Sequence, residues 1–397
     1  MIAVLLTIAV VLQFNQRAPL TPAETLLEPV ILRAFNDVEP ASAGKIEVIA
    51  GSSPAAGEIV ISCAAAGCAA AGQVAQKLKT LVEVHQLPQP ARTIRFVSVA
   101  TASAGFGDRV KAAIHLDLAP GGRSMQIVRS PWSTASIVDE IAEVFSLQPP
   151  YGPVPGATTV VAYRNIGQPA WDALGVPTVS MVGAGADANG LKQIVFVATA
   201  TAYFLATLPN SGAEALLSHL MVGAHARLAE DGRRAVAQMG PSQRASADVL
   251  ILMGQAIDRE QRRIRSLTRF MPSPLDATLA SRLADMEKGV ASVWTSLGIT
   301  SSPFVPAAER IRGRGGEDRR IVSKTTPGAL TTPEPPAAVL KVPNADIVIY
   351  ELGNFIDGRR SISDIRDALS AQFGPIALPA VVDYFERLAK AGAVTLK

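Results

Sequence analysis

In the stretch Ile61–Leu81, ISCAAAGCAAAGQVAQKLKTL, two cysteines stand where a strand-like run gives way to a helical one. At such a corner an α/β enzyme can present a nucleophile or an acidic metal ligand from the C-terminal end of a strand. Here the corner carries Cys63, alanines, Gly67 and Cys68, with no acid among them. Two cysteines so close in sequence either close a tight local disulfide or remain buried free thiols. A zinc site built on them would need further Cys or His nearby, and His85 is the candidate.

In VKAAIHLDLA, His115 and Asp117 occupy alternate positions, so a strand places both on one face. Such a pair could hold a cation, but a structural carboxylate partnered by a hydrogen-bonded histidine is the simpler expectation. His219 and His225 are six apart on a helix, which sends them to different faces. The chain has no H-E-x-x-H, no G-x-S-x-G and no phosphate-cradling glycine loop, which leaves the zincin, serine-hydrolase and P-loop chemistries without their residues.

The elements that position these residues alternate in type. From Lys45, KIEVIAG, GEIVISC, RTIRFVSVA, VKAAIHLDLA, MQIVRS, TTVVAY and GVPTVSMVG read as strands. TASIVDEIAEVFSL and the nearly apolar LKQIVFVATATAYFLATL read as helices. Val/Ile runs interleaved with helices predict an α/β unit, a mixed or parallel sheet covered on both faces, over residues 21–210.

Beyond PNSG the period is helical only. Val249, Met253, Ile257, Ile264 and Leu267 mark one helix, and FMPSP breaks it. A second follows through Leu275, Leu279, Leu283, Met286, Val290, Val293 and Leu297, so residues 211–299 read as a helical hairpin. Its charged run DREQRRIRSLTR is expected to be a solvated face. Residues 300–343, rich in Pro, Gly and charge, read as a linker. Residues 344–397 read as helix, Asp-Gly turn, two helices and a terminal strand, a small winged-helix-like module in which Ser361 and Asp364 make a capping box.

The 397 residues are 48% hydrophobic and 18% charged with a net charge of +3. That composition fits a folded chain and gives no strong attraction to nucleic acid. In the last helix Arg387 and Lys390 are offset by Asp383 and Glu386, so a duplex should be held weakly at most. Residues 1–20 contain an apolar run, Ile2–Leu12, too short for a comfortable span; a signal peptide or marginal membrane anchor is expected, a buried strand being the alternative.

The segment from about Lys45 to Asn210 resembles the dizinc aminopeptidases of clan MH, metallopeptidase family twenty-eight. GCAAAGQVAQKLKTL, PARTIRFVSVA, VKAAIHLDLA, ALGVPTVSMVG and LKQIVFVATATAYFLATL carry the likeness, in the family's order. The resemblance implies a three-layer mixed sheet and two zinc ions held by His, Asp and Glu, with one Glu as general base towards metal-bound water. Placed on this sequence, the shared Asp falls on Cys63, the Glu pair near Ala102 and Ser103, and an Asp ligand on Asp117. Asp117 alone matches, so no cofactor is expected although the family holds zinc.

The tail also resembles peptide-binding winged-helix modules of peptide-modification chaperones, through DGRRSISDIRDALSAQFG. The combined expectation is an exported or membrane-tethered, catalytically degenerate aminopeptidase-like scaffold, extracytoplasmic, with a protein or peptide partner and no nucleic acid. The alternatives are an active zinc aminopeptidase and, further off, a DNA-binding regulator.

Overall fold

The computed structural model describes residues 48–64, 67–98, 109–119, 126–146, 159–161, 169–184, 188–208, 213–238, 247–271, 276–296, 318–326, 330 and 345–397. The run 1–20 and the positions Ala102 and Ser103 lie outside them. No described helix is long and apolar enough to cross a membrane.

The centre is a mixed α/β sheet. Its strands are β1 (Val48–Ile49), β2 (Glu58–Cys63), β3 (Thr93–Ser98), β4 (Val110–Ala119), β5 (Gln126–Val128), β6 (Thr159–Val161) and β7 (Thr178–Ala184), in the order β1-β3-β2-β4-β7-β5-β6. β3, β2, β4 and β7 run parallel, β1 pairs antiparallel with β3 and β5 antiparallel with β7, and β6 runs parallel to β5. Because side chains alternate along a strand, the register sorts them into two faces. Ile61 aligns with Phe96 and Ile114, and Ile114 with Val179, all in the main core. Val60, Val97, Val110 and Ala113 point the other way and pack with Trp171 and Val176.

Helices α1 (Gly67–Glu83), α2 (Ile137–Ser146) and α4 (Ala188–Thr207) cover the first face, while the single turn α3 (Pro169–Asp172) brings Trp171 onto the second. α1 buries the stripe Val74, Leu78 and Leu81. α4 is buried from Gln193 to Ala206, as expected of a helix apolar all round.

The helical region holds three helices among the described residues, α5 (Ala213–Gln238), α6 (Ala247–Arg265) and α7 (Asp276–Ser296), where the sequence suggested a two-helix hairpin. α5 is amphipathic only weakly and interrupted by glycine, which hid its period. All three share one hydrophobic core with the sheet.

The run DREQRRIRSLTR is not a solvated face. Arg259, Glu260 and Arg263 are buried. Burial is possible because charges from three helices meet. Arg227 of α5 donates to Glu260 of α6 at 2.9 Å and to Glu140 of α2 at 2.6 Å. Arg259 reaches Glu260 at 2.6 Å and Asp231 at 2.9 Å, and Arg263 lies 3.4 Å from Asp139.

The C-terminal module has its own core and comprises α8 (Ala345–Phe355), α9 (Ile362–Phe373), α10 (Leu378–Lys390), β9 (Val394–Leu396) and a strand from the expected linker, β8 (Val322–Lys324). Val322–Lys324 pairs antiparallel with β9, so part of 300–343 belongs to the module. Short β-runs whose partner is the last strand of the chain leave no local signal. The expected capping box is present, with the Asp364 N–H donating to Ser361 Oγ and the Ser361 N–H to Asp364 Oδ2. Gly358 takes a positive φ in the Asp-Gly turn, a conformation that favours glycine.

Candidate functional site

The strand-to-helix corner is the best-placed candidate, because β2 is central in the sheet and its C-terminal end meets the N-terminus of α1. The corner is tight. The Ala64 N–H donates to Leu116 O of β4, and the Gly67 N–H donates to Ala64 O. A Cβ at Gly67 would stand 2.5 Å from Leu116 O, so only glycine lets α1 begin this close to β4. Cys63 and Cys68 are joined in a disulfide across the corner. This resolves the choice left open by their spacing, and it removes both sulfurs as metal ligands, since the thiolate is the binding form.

His85 does not join them. It follows α1 at the far end of that helix, exposed and with φ of 58°. Seventeen residues of helix span about 25 Å.

On the second sheet face, a polar row crosses the strands where Ser62 of β2 aligns with His115 of β4, and His115 with Ser180 of β7. His115 is fully buried, and its Nδ1 lies 3.0 Å from Ser62 Oγ. The expected His115–Asp117 hydrogen bond is therefore replaced by one to Ser62, whose side chain on the adjacent strand is nearer than a residue two positions along the same strand. Burial lowers the pKa of His115, opposed by the charge of Asp117. Its Nε2 has no hydrogen-bond partner among the described residues. Asp117 is half-buried, with Val182 of β7 aligned beside it.

The arrangement brings together Ser62, His115 and Asp117 on one face, with the disulfide on the other. No group of three or more His, Cys, Asp or Glu side chains able to hold a metal ion exists among the described residues. His115, buried and neutral, and the half-buried Asp117 could supply two donors, and a dizinc centre needs more. A small cleft between α5, α6 and α9, lined by Arg234, Asp248, Ile251, Ser370 and Pro375, includes none of these residues. Of the other histidines, His219 lies 3.7 Å from Glu140 and His225 places Nδ1 2.7 Å from Met221 O within α5.

Ser62 was missed in sequence because a serine in an apolar strand carries no signal until its cross-strand neighbour is known. A second missed group lies where the C-terminal module meets the sheet domain. Glu351 of α8 is fully buried and accepts from the Ser133 N–H at 2.9 Å and Ser133 Oγ at 3.0 Å, and Tyr350 donates to Asp172 of α3 at 3.0 Å.

No family model matches the sequence. No curated protein matches it either. Among solved structures, an aminopeptidase from Aneurinibacillus sp. strain AM-1 is similar over 41% of this chain and 47% of its own, at 12% sequence identity and a TM-score of 0.31, so this chain spans less than half of that protein's length.

Proposed function

We propose that this chain is an exported or membrane-tethered, catalytically degenerate protein of the zinc-aminopeptidase type, acting as a scaffold that binds a protein or peptide. The observation that carries the reading is the Cys63–Cys68 disulfide. It occupies the strand-end position to which the sequence resemblance assigns the carboxylate shared by both zinc ions. A sulfur spent in a disulfide is neither a ligand nor a base, and hydrolysis without metal or base loses the terms that supply most of the rate. Disulfides persist in oxidising compartments, which supports the extracytoplasmic assignment.

The binding role is assigned to the winged-helix-like C-terminal module. Arg387 of α10 pairs with Asp383 at 3.0 Å, and Glu386 accepts from Arg320 at 2.9 Å. Cations neutralised within the module attract phosphate little, which favours a protein or peptide over a duplex. The test is a chromogenic panel of aminoacyl substrates with the full chain, with and without added zinc. No release above the uncatalysed rate is expected, and zinc-dependent release abolished by a chelator would refute the reading.

A further inference from the structure

We propose that the C-terminal module is held on the sheet domain by a seam of protonated carboxyl groups, Glu351 on Ser133 and Asp172 under Tyr350, and that it undocks when these two groups ionise. The inference stands on the seam alone and does not need the scaffold reading.

The two acids lie at the join between the modules. Glu351 is 0% and Asp172 1% exposed. Each is bound across the join, Glu351 by the turn Trp132–Thr134 and Asp172 by the Tyr350 hydroxyl of α8. Asp172 Oδ1 has no hydrogen-bond partner among the described residues, and a buried carboxylate left half-satisfied is costly while its neutral acid is less so. Burial raises Glu351 from 4.5 to about 7, against the hydrogen bonds from Ser133 and Asn354 and the charge of Arg262. Burial, then the proximity of Glu351, raises Asp172 well above its ordinary value, with the Thr178 hydroxyl opposing. Each acid, once charged, disfavours the ionisation of the other.

The remaining charges offset ionisation of the seam only in part. From α6, Arg262 is itself shifted down by burial and by Arg360, with Asp258 and Glu351 opposing, and its Nε and one terminal nitrogen have no hydrogen-bond partner among the described residues. Arg259 of α6 is committed to Glu260 and Asp231, with its guanidinium 4.6 Å above the Trp132 ring. Asp139 of α2 adds repulsion at Asp172. Arg360, before α9, pairs with Asp357 at 2.7 Å. Lys324 of β8 donates to Ala173 O at 3.1 Å, and burial brings it down to about 8.

The sign follows by linkage. A carboxyl raised in the docked state takes up a proton on docking, so docking is strongest below about 4.5 and weakens as pH rises to about 7. For Glu351 alone the docking equilibrium weakens by roughly two orders of magnitude across that window. Lys324 acts in the opposite sense and only above pH of about 8, so the two effects separate on the pH axis.

Trp132 lies at the turn and Trp171 beside Asp172, so tryptophan quenching by acrylamide reads the seam, and small-angle X-ray scattering reads the dimensions of the full chain. Between about pH 5 and 8 the wild type should gain quenching and expand. Glu351→Gln and Asp172→Asn should each reduce that pH dependence, the double variant should abolish it, and Glu386→Gln, an exposed acid of the same module, should leave it unchanged. A wild type flat in both measurements would overturn the proposal without recourse to any variant. So would a transition of wild-type size in both single variants.

Discussion

Two glycines of α5 should answer an added methyl group in opposite directions. A Cβ on Gly223 would collide with Glu140 Oε1, the carboxylate that lies across α5 to reach Arg227. Gly223→Ala should therefore destabilise the chain by about 1–3 kcal/mol through overpacking at a buried charge. Gly232, with nothing within 4 Å of the added atom, should gain about 0.5–1 kcal/mol from Gly232→Ala, since alanine loses less entropy in a helix. Thermal or denaturant melts of the two variants check both signs. At this scale the sequence is mute: the two glycines look alike until Glu140, far away in the chain, is placed against one of them. The same holds for His115, whose partner Ser62 belongs to another strand.

Among elements, strand and helix runs such as GEIVISC, RTIRFV and LKQIVFVATATAYFLATL are legible because apolar residues repeat at the period of their structure. The capping box at Ser361 is legible because its chemistry is local. The junction of α2, α5 and α6 is not, because an acid or arginine is read as exposed unless its partner is known. The signal available was TASIVDEIAEVFSL, where acids interrupt an otherwise apolar helix. Glu260 is the centre of that junction. Burial opposes its charge, but Arg263, Arg259 and Arg227 hold its pKa at about 2. Glu260→Gln should cost about 3–5 kcal/mol, because it leaves buried cations uncompensated. The sign with pH follows: a depressed carboxyl contributes stability that is complete above about 4.5 and lost as pH falls towards about 2. Denaturant midpoints of wild type and Glu260→Gln should accordingly converge as the pH is lowered through that window, and parallel curves would show that Glu260 is not held ionised.

For the whole molecule, the α/β class could be read in advance, while the way its regions are joined could not. The sheet and α5–α7 share one core, and the C-terminal module, with a core of its own, borrows β8 from a stretch that reads as linker. Long-range joins such as Glu351 to Ser133 have no signature in either segment. The assembled chain presents a disulfide at the sheet corner and the half-buried acid Asp117 on the opposite face. The most direct measurement is the metal content of the purified full chain after equilibration with zinc and removal of excess by gel filtration. Mass-spectrometric metal analysis should find well under one zinc per chain, with Cys63 and Cys68 resistant to alkylation until a reductant is added. Two tightly held zinc ions per chain would contradict the account and return this sheet to the working metallopeptidases.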